Sequence, residues 1–237
     1  FVYVLHELYN QGKIPKIPIF VDSPLSSRIS KVFDKNKDYY DDETFRDFVD
    51  KKKNPLYFKE ITYTSSVEES KQLNFYDKPC IIISASGMCE AGRIMHHLKN
   101  HMTDPKNLIL VIGFMAQGTR GRQIVEGARK IKIFGKNYPL KADVVVLNSF
   151  SGHADKLELL EYIRNINDLQ NIFVVHGEES ECAMLRDNIH NILRFKGRVD
   201  VVDMGEEFEI TDKGTTSKMG KRRENYIRKM KELKDKV

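Results

Sequence analysis

Short apolar runs alternate with amphipathic stretches along most of the chain, and this alternation predicts strands and helices in turn. Residues 17–21 form a continuous apolar run between prolines, read as a buried strand ending at Asp22-Ser23-Pro24, with a helix following from Leu25. The polar stretch 34–42 reads as a loop, 43–51 as a helix and 56–63 as a strand. Ser66 with Glu69 has the capping-box spacing, in which a hydroxyl and a carboxylate satisfy two free amides, and it opens a helix to about Phe75. A strand over 80–84, a helix over 90–100, a strand over 107–113 and a helix opening at 117–122 follow. Residues 130–134 and 138–140 predict a hairpin around Gly135-Lys136-Asn137.

The alternation then resumes: strand 144–147, helix 157–166, strand 172–175, helix 179–193, strand 198–204, and 206–210 as an edge strand. Repeated βα units with short loops imply an α/β fold, a parallel sheet with helices on its faces and right-handed crossovers. The best domain boundary lies between Gly127 and Lys141, where the chain leaves one set of βα units through the hairpin.

Composition narrows the picture modestly. The chain of 237 residues can hold one large domain or two modest ones. Its net charge of +5 is too small to establish a nucleic-acid partner. From Lys213 onward, however, ten Lys or Arg face only Glu224, Glu232 and Asp235, a basic tail whose readings are a phosphate-contacting segment and, preferred, a solvated or frayed helix. Cys80, Cys89 and Cys182 form no C-x-x-C pair, which fits a reducing, cytoplasmic setting. The sequence has no long uncharged apolar run for a membrane span and no cleavable leader pattern. Phe1 stands where a methionine would, inside a predicted helix, so the chain reads as a fragment or a trimmed product.

Candidate chemistry gathers at turns that end predicted strands. His153, in Ser149-Phe-Ser-Gly-His-Ala-Asp155, and His176, in Val174-Val-His-Gly-Glu178, each finish a strand. The carboxyl ends of neighbouring strands face one crevice in an open α/β sheet, so the two imidazoles are expected to converge; alone, either could merely satisfy a turn. Ser86-Gly87 enters a helix and offers backbone N–H groups to an anion, while Arg120 and Arg122 flank Gly121 at a second such turn. Plain surface turns are the competing reading for both. Asp155 is read as a helix cap, and Glu178 and Glu179 as charges suited to a helix start. His97 and His101 share a helical face but lack the H-E-x-x-H pattern and are rejected as a metal site. Cys89 sits near a helix start without any neighbour that marks a nucleophile. No P-loop or G-x-G-x-x-G fingerprint is present.

Taken in order, Val-Asp-Ser-Pro-Leu (21–25), Ser-Ala-Ser-Gly-Met (84–88), Gly-Thr-Arg-Gly-Arg (118–122), Ser-Gly-His-Ala-Asp (151–155) and Val-His-Gly-Glu (175–178) closely resemble the β-CASP group of the metallo-β-lactamase superfamily, over about residues 17–210. The group includes RNase J-like enzymes and RNA 3′-end-processing nucleases. The resemblance implies a Rossmann-like β-CASP domain over 1–128, the carboxyl-terminal part of a metallo-β-lactamase αββα domain over 129–212, and the basic tail over 213–237. It implies that His153 contacts the scissile phosphate and helps protonate the leaving oxygen, that Ser151 holds a phosphate oxygen, and that His176 is a ligand to one of two zinc ions. It also places Ser86 and Gly87 at a phosphate-facing turn and Arg120 and Arg122 near the RNA path.

One departure is large: the family's H-x-H-x-D-H metal motif is absent, and only His6 precedes His96. A single ligand cannot hold a dinuclear zinc site against water. The expectation is therefore a portion of a zinc-dependent ribonuclease, inactive alone, with RNA as partner and DNA left open. An incomplete catalytic domain would expose an apolar sheet face, to be covered by a missing amino-terminal segment or by another copy of the chain. Two rivals are a non-catalytic RNA-binding or regulatory subunit, and an unrelated α/β protein that binds a small phosphorylated ligand.

Overall fold

The computed structural model describes residues 1–51, 53–150, 152–211 and 214–219. Its first apolar run forms β1 (Ile19–Asp22), against which α1 (Val2–Asn10) packs Leu5 and Tyr9. The Tyr9 hydroxyl donates to the Ile17 carbonyl at 2.6 Å, so the ring is buried without stranding its polar end. α2 (Pro24–Lys35) begins where the Ser23 hydroxyl accepts from the Ser26 N–H and proline occupies the first turn. A short helix α3 (Asp42–Thr44) runs into a π-helical turn, Phe45–Val49, which buries Phe48.

β2 (Ile61–Tyr63) is shorter than the strand expected over 56–63. The reason is local: the Asn54 side-chain oxygen accepts from the N–H groups of both Leu56 and Tyr57, bending the chain into a turn. α4 (Val67–Leu73) then opens with the Ser66/Glu69 capping box, and β3 (Ile81–Ser84) follows. The three strands form a parallel sheet in the order β2-β1-β3, with Ile19 opposite Ile61 on one side and Ile81 on the other. The chain runs outward from β1 to β2 and then crosses back to β3, which places the reversal of strand order beside Asp22 and Ser84.

α5 (Ile94–His101), β4 (Leu108–Ile112) and α6 (Arg120–Val125) continue the alternation. The expected hairpin is β5 (Lys130–Ile133) with β6 (Lys136–Pro139). Ile131 and Ile133 are fully buried while Lys130 and Lys132 face out, the period of two that fixes register. These isoleucines join Met95, Leu98, Met102 and Ile124 in one core, each fully buried aliphatic side chain contributing about 1.5–3 kcal/mol. β7 (Asp143–Leu147) pairs in parallel with β4.

The chain divides into two compact units, Phe1–Ser151 and Gly152–Val237. The second unit holds α7 (Lys156–Arg164), β8 (Asn171–Val174), α8 (Glu179–Ile192) and β9 (Arg198–Val201), with β8 and β9 parallel. Leu160, Val174, Cys182 and Ile189 form its core. β10 (Glu206–Thr211) pairs antiparallel with β11 (Gly214–Met219), so residues 206–210 make a hairpin rather than an edge of the parallel sheet. β11 draws on the start of the expected basic tail; residues 220–237 lie outside the described residues. The parallel α/β reading of the sequence holds in both units. No helix among the described residues is long and apolar enough to cross a membrane.

Candidate functional site

Two loops in the first unit, one after β3 and one after β4, carry the candidate anion-binding residues. The loop 85–93 is folded by its own backbone: the Ser86 N–H donates to the Ala91 carbonyl at 3.2 Å, the Cys89 N–H to Ser86 at 3.1 Å and the Ile94 N–H to Ala85 at 3.2 Å. The predicted helix start at 90 thus moves to Ile94. Gly92 makes the closure possible, since it has φ +84° and a Cβ there would stand 2.8 Å from the Ala85 carbonyl oxygen. Gly87 is exposed at the loop tip with open space around it. The Ser86 hydroxyl donates to Ala91 O at 3.3 Å in an exposed contact. Cys89 is buried beneath, and burial, reinforced by the Glu90 charge, pushes its thiol up to about 11.

The second loop meets the first directly. The Gly121 N–H donates to the Met88 carbonyl at 3.0 Å, and a Cβ on Gly121 would lie 2.3 Å from Met115 Sδ and 3.1 Å from Met88 O. Only glycine permits this approach without displacing a neighbour. Glu90 accepts from the Arg120 backbone N–H and from Arg120 Nη1, both at 2.6 Å, and Arg120 Nε donates to the Lys132 carbonyl at 2.7 Å. Arg122 Nε donates to Glu126 at 2.6 Å. Ser86, Gly87 and Arg120 therefore belong to one bonded assembly, while both guanidinium groups bind protein oxygens.

Beneath the loops lies a centre that the sequence reading passed over. Asp22, fully buried at the end of β1, accepts hydrogen bonds from the hydroxyls of Thr64 and Ser70, from Arg93 Nη1 at 2.6 Å and from His97 Nε2 at 2.6 Å. Burial alone would raise its pKa; the bonds from Thr64, Ser70, His97 and Arg93 outweigh burial and hold the carboxyl below its ordinary value. Ser84 Oγ donates to the Asp22 carbonyl at 3.0 Å, tying the end of β3 to the end of β1. The partners stand 42 to 75 residues away along the chain, so no local pattern announces them. His97 is thus bound to a carboxylate, and its neighbour His101 has a pKa lowered by burial and by His97.

In the second unit His153 and His176 are both exposed. His176 has φ +65°, a left-handed turn immediately after β8. Asp155 caps α7, accepting from the N–H groups of Leu157 and Glu158 in a capping box, as expected. The strand before His153, β7, pairs with β4 in the first unit, and the strand before His176, β8, pairs with β9 in the second. Ser151 lies outside the described residues. Among the described residues the group of candidate metal ligands is Glu7, Glu43 and Asp47, with oxygens within 4.8 Å of one another, and it includes neither histidine. Among the described residues no group of three candidate ligands includes His176, so they do not by themselves fit a dinuclear zinc centre.

Comparison with known proteins accounts for both units. Residues 1–124 match the Beta-Casp domain, and 137–202 match the Zn-dependent metallo-hydrolase RNA specificity domain. The chain is 34% identical over 183 residues to Ribonuclease TTHA0252 of Thermus thermophilus, covering 77% of this chain and 42% of that protein. It is 31% identical over 198 residues to an RNase J-like protein of Methanocaldococcus jannaschii, covering 84% and 44%. It is 28% identical over 201 residues to Transcription termination factor FttA of Methanosarcina mazei, covering 82% and 31%. The chain thus spans less than half the length of these relatives.

Proposed function

Because the chain belongs to the β-CASP family of the metallo-β-lactamase superfamily, we propose that it is the β-CASP and carboxyl-terminal portion of a zinc-dependent ribonuclease. In this reading residues 1–128 are the β-CASP domain, and residues 129–212 return to the catalytic domain. The substrate is RNA, cleaved at phosphodiester bonds in processing or degradation, and the setting is cytoplasmic. The observation that carries the reading is the bonded pair of loops after β3 and β4, which holds Ser86, Gly87 and Arg120 together at the strand ends. Strand ends of a parallel sheet are where such folds bind ligands, and backbone N–H groups with arginines are the donors phosphates require.

Ser86 and Gly87 are assigned to a substrate phosphate, with Arg120 and Arg122 along the RNA path and Ser151 on a phosphate oxygen. His153 is assigned to protonate the leaving oxygen, a role its exposed position permits. His176 is assigned as a zinc ligand, with the other ligands supplied from outside this chain. Zinc bound there would polarise the phosphate and activate water; the described residues alone gather no metal-ligand group at His176. The isolated chain is proposed to bind RNA without cleaving it; a non-catalytic RNA-binding or regulatory subunit is the alternative reading.

Fluorescence anisotropy with a labelled single-stranded RNA tests the reading. Binding that weakens steeply with salt, and more weakly still in Arg122→Gln, supports it, because phosphate contacts release counterions. Salt-independent or absent binding refutes it, and preference for an equivalent DNA strand would move the substrate assignment to DNA.

A further inference from the structure

The Glu90–Arg120 contact has the form of an occupied anion site. Two donors of one residue, the Arg120 backbone N–H and Nη1, each meet a separate oxygen of the same carboxylate at 2.6 Å. The remaining anchor, Nε on the Lys132 carbonyl at 2.7 Å, holds the guanidinium in place whether or not the carboxylate is there. Two non-bridging oxygens of a phosphate offer the same kind of paired acceptor, and arginine is the side chain best suited to receive them. The pair is also exchangeable. Glu90 and Arg120 side chains are 44% and 27% exposed, and an exposed ion pair of this kind adds little stability, so an incoming anion faces a small barrier and the released carboxylate returns to water.

We propose that Arg120 forms an anion subsite that Glu90 fills in the free protein and that a backbone phosphate of the substrate takes over on binding. Glu90 is then a built-in competitor. It keeps the turn ordered through the Arg120 N–H, lowers affinity for weak or isolated anions, and yields to a polyanion whose other phosphates are held elsewhere on the same face. The identity of the polyanion as RNA rests on the reading given above; the exchange at Arg120 does not.

Two measurements on the 237-residue chain separate these claims. The first compares wild type, Glu90→Gln, Arg120→Gln and the double variant by anisotropy with labelled single-stranded RNA across a salt series. Glu90→Gln retains an amide oxygen for the Arg120 N–H, and thermal melts check that all four proteins are folded. The expected result is RNA binding about two- to fivefold tighter in Glu90→Gln, with a steeper salt dependence, and loss of that gain in the double variant. Equal or weaker binding by Glu90→Gln, or a gain that survives removal of Arg120, would overturn the proposal. The second follows the Arg120 Nε–H resonance by NMR during titration with inorganic pyrophosphate. The resonance should shift at lower pyrophosphate concentration in Glu90→Gln than in wild type. If it moves in neither protein, the subsite is refuted; if it moves while RNA binds to neither, the subsite stands and the RNA assignment falls.

Discussion

His97 Nε2 lies 2.6 Å from the Asp22 carboxylate, and both side chains are shut away from solvent. The contact joins the end of β1 to the middle of α5, while Ser70 brings α4 to the same carboxylate at 2.7 Å and Arg93 adds a cation at 2.6 Å. A buried carboxylate with this many donors specifies how three elements meet, because each donor is left unpaired if any element shifts.

Asp22→Asn is nearly isosteric but removes the charge that Arg93 and His97 face. The expected cost is about 2–4 kcal/mol, from one buried ion pair and weakened charge-assisted hydrogen bonds. Urea unfolding followed by circular dichroism measures it. A loss below about 0.5 kcal/mol would mean that the cluster is filled more loosely than the hydrogen bonds indicate.

The same substitution should show a pH dependence of definite sign. The Asp22 carboxyl is held below its ordinary value in the folded chain. Its ionised form therefore adds stability above the unfolded carboxyl pKa of about 3.9, and that contribution is lost as pH falls through the lower folded value. The stability gap between wild type and Asp22→Asn should narrow below about pH 4. A gap that persists undiminished into strong acid would contradict this account.

Gly121 offers a sharper packing test. Its missing Cβ is what lets the loop after β4 donate to Met88 at 3.0 Å. Gly121→Ala must push aside the Met115 side chain and strain against the Met88 carbonyl, at an expected cost of about 1–3 kcal/mol. Gly118→Ala is not an equivalent control because Gly118 has φ +78°; Gly152→Ala, with open space and no such φ, should be nearly neutral. Comparable losses at 121 and 152 would remove the steric argument.

Cys89 should be chemically quiet. With its thiol pushed up to about 11 by burial and the nearby Glu90, little thiolate exists at pH 8, and the thiolate is the reactive species. Mass spectrometry after brief iodoacetamide treatment of the native protein should find Cys89 unmodified, with alkylation appearing on unfolding in urea. Rapid native alkylation would show that the loop 85–93 opens readily.

Much of this architecture is legible in the sequence because it is encoded locally. The run 17–21, the hairpin around Gly135, the capping pair Ser66/Glu69 and the cap at Asp155 all announce themselves within a few residues. The strand expected over 56–60 fails for an equally local reason, since the Asn54 side chain captures two backbone N–H groups that a strand would have used. Partner choice is a different matter. Which strand pairs with β7 depends on contacts over long separations, and nothing near Val144 announces β4 as its partner. The Asp22 centre was hidden in the same way: Asp22 closes an obvious strand, but Thr64, Ser70, Arg93 and His97 each read as ordinary helix or loop residues until the fold gathers them. Arg120 was legible as a candidate phosphate ligand, whereas its engagement by Glu90, 30 residues earlier, was not.

The central claim is that this chain carries the RNA-binding face of a zinc-dependent nuclease without a complete metal centre. Its most direct test is to load the purified 237-residue chain with zinc, remove unbound metal, count zinc per chain, and assay the same sample for binding and cleavage of a labelled RNA. The account predicts salt-sensitive RNA binding, no stable pair of zinc ions and intact RNA. Two tightly held zinc ions with RNA cleavage, or no RNA binding at all, would contradict it.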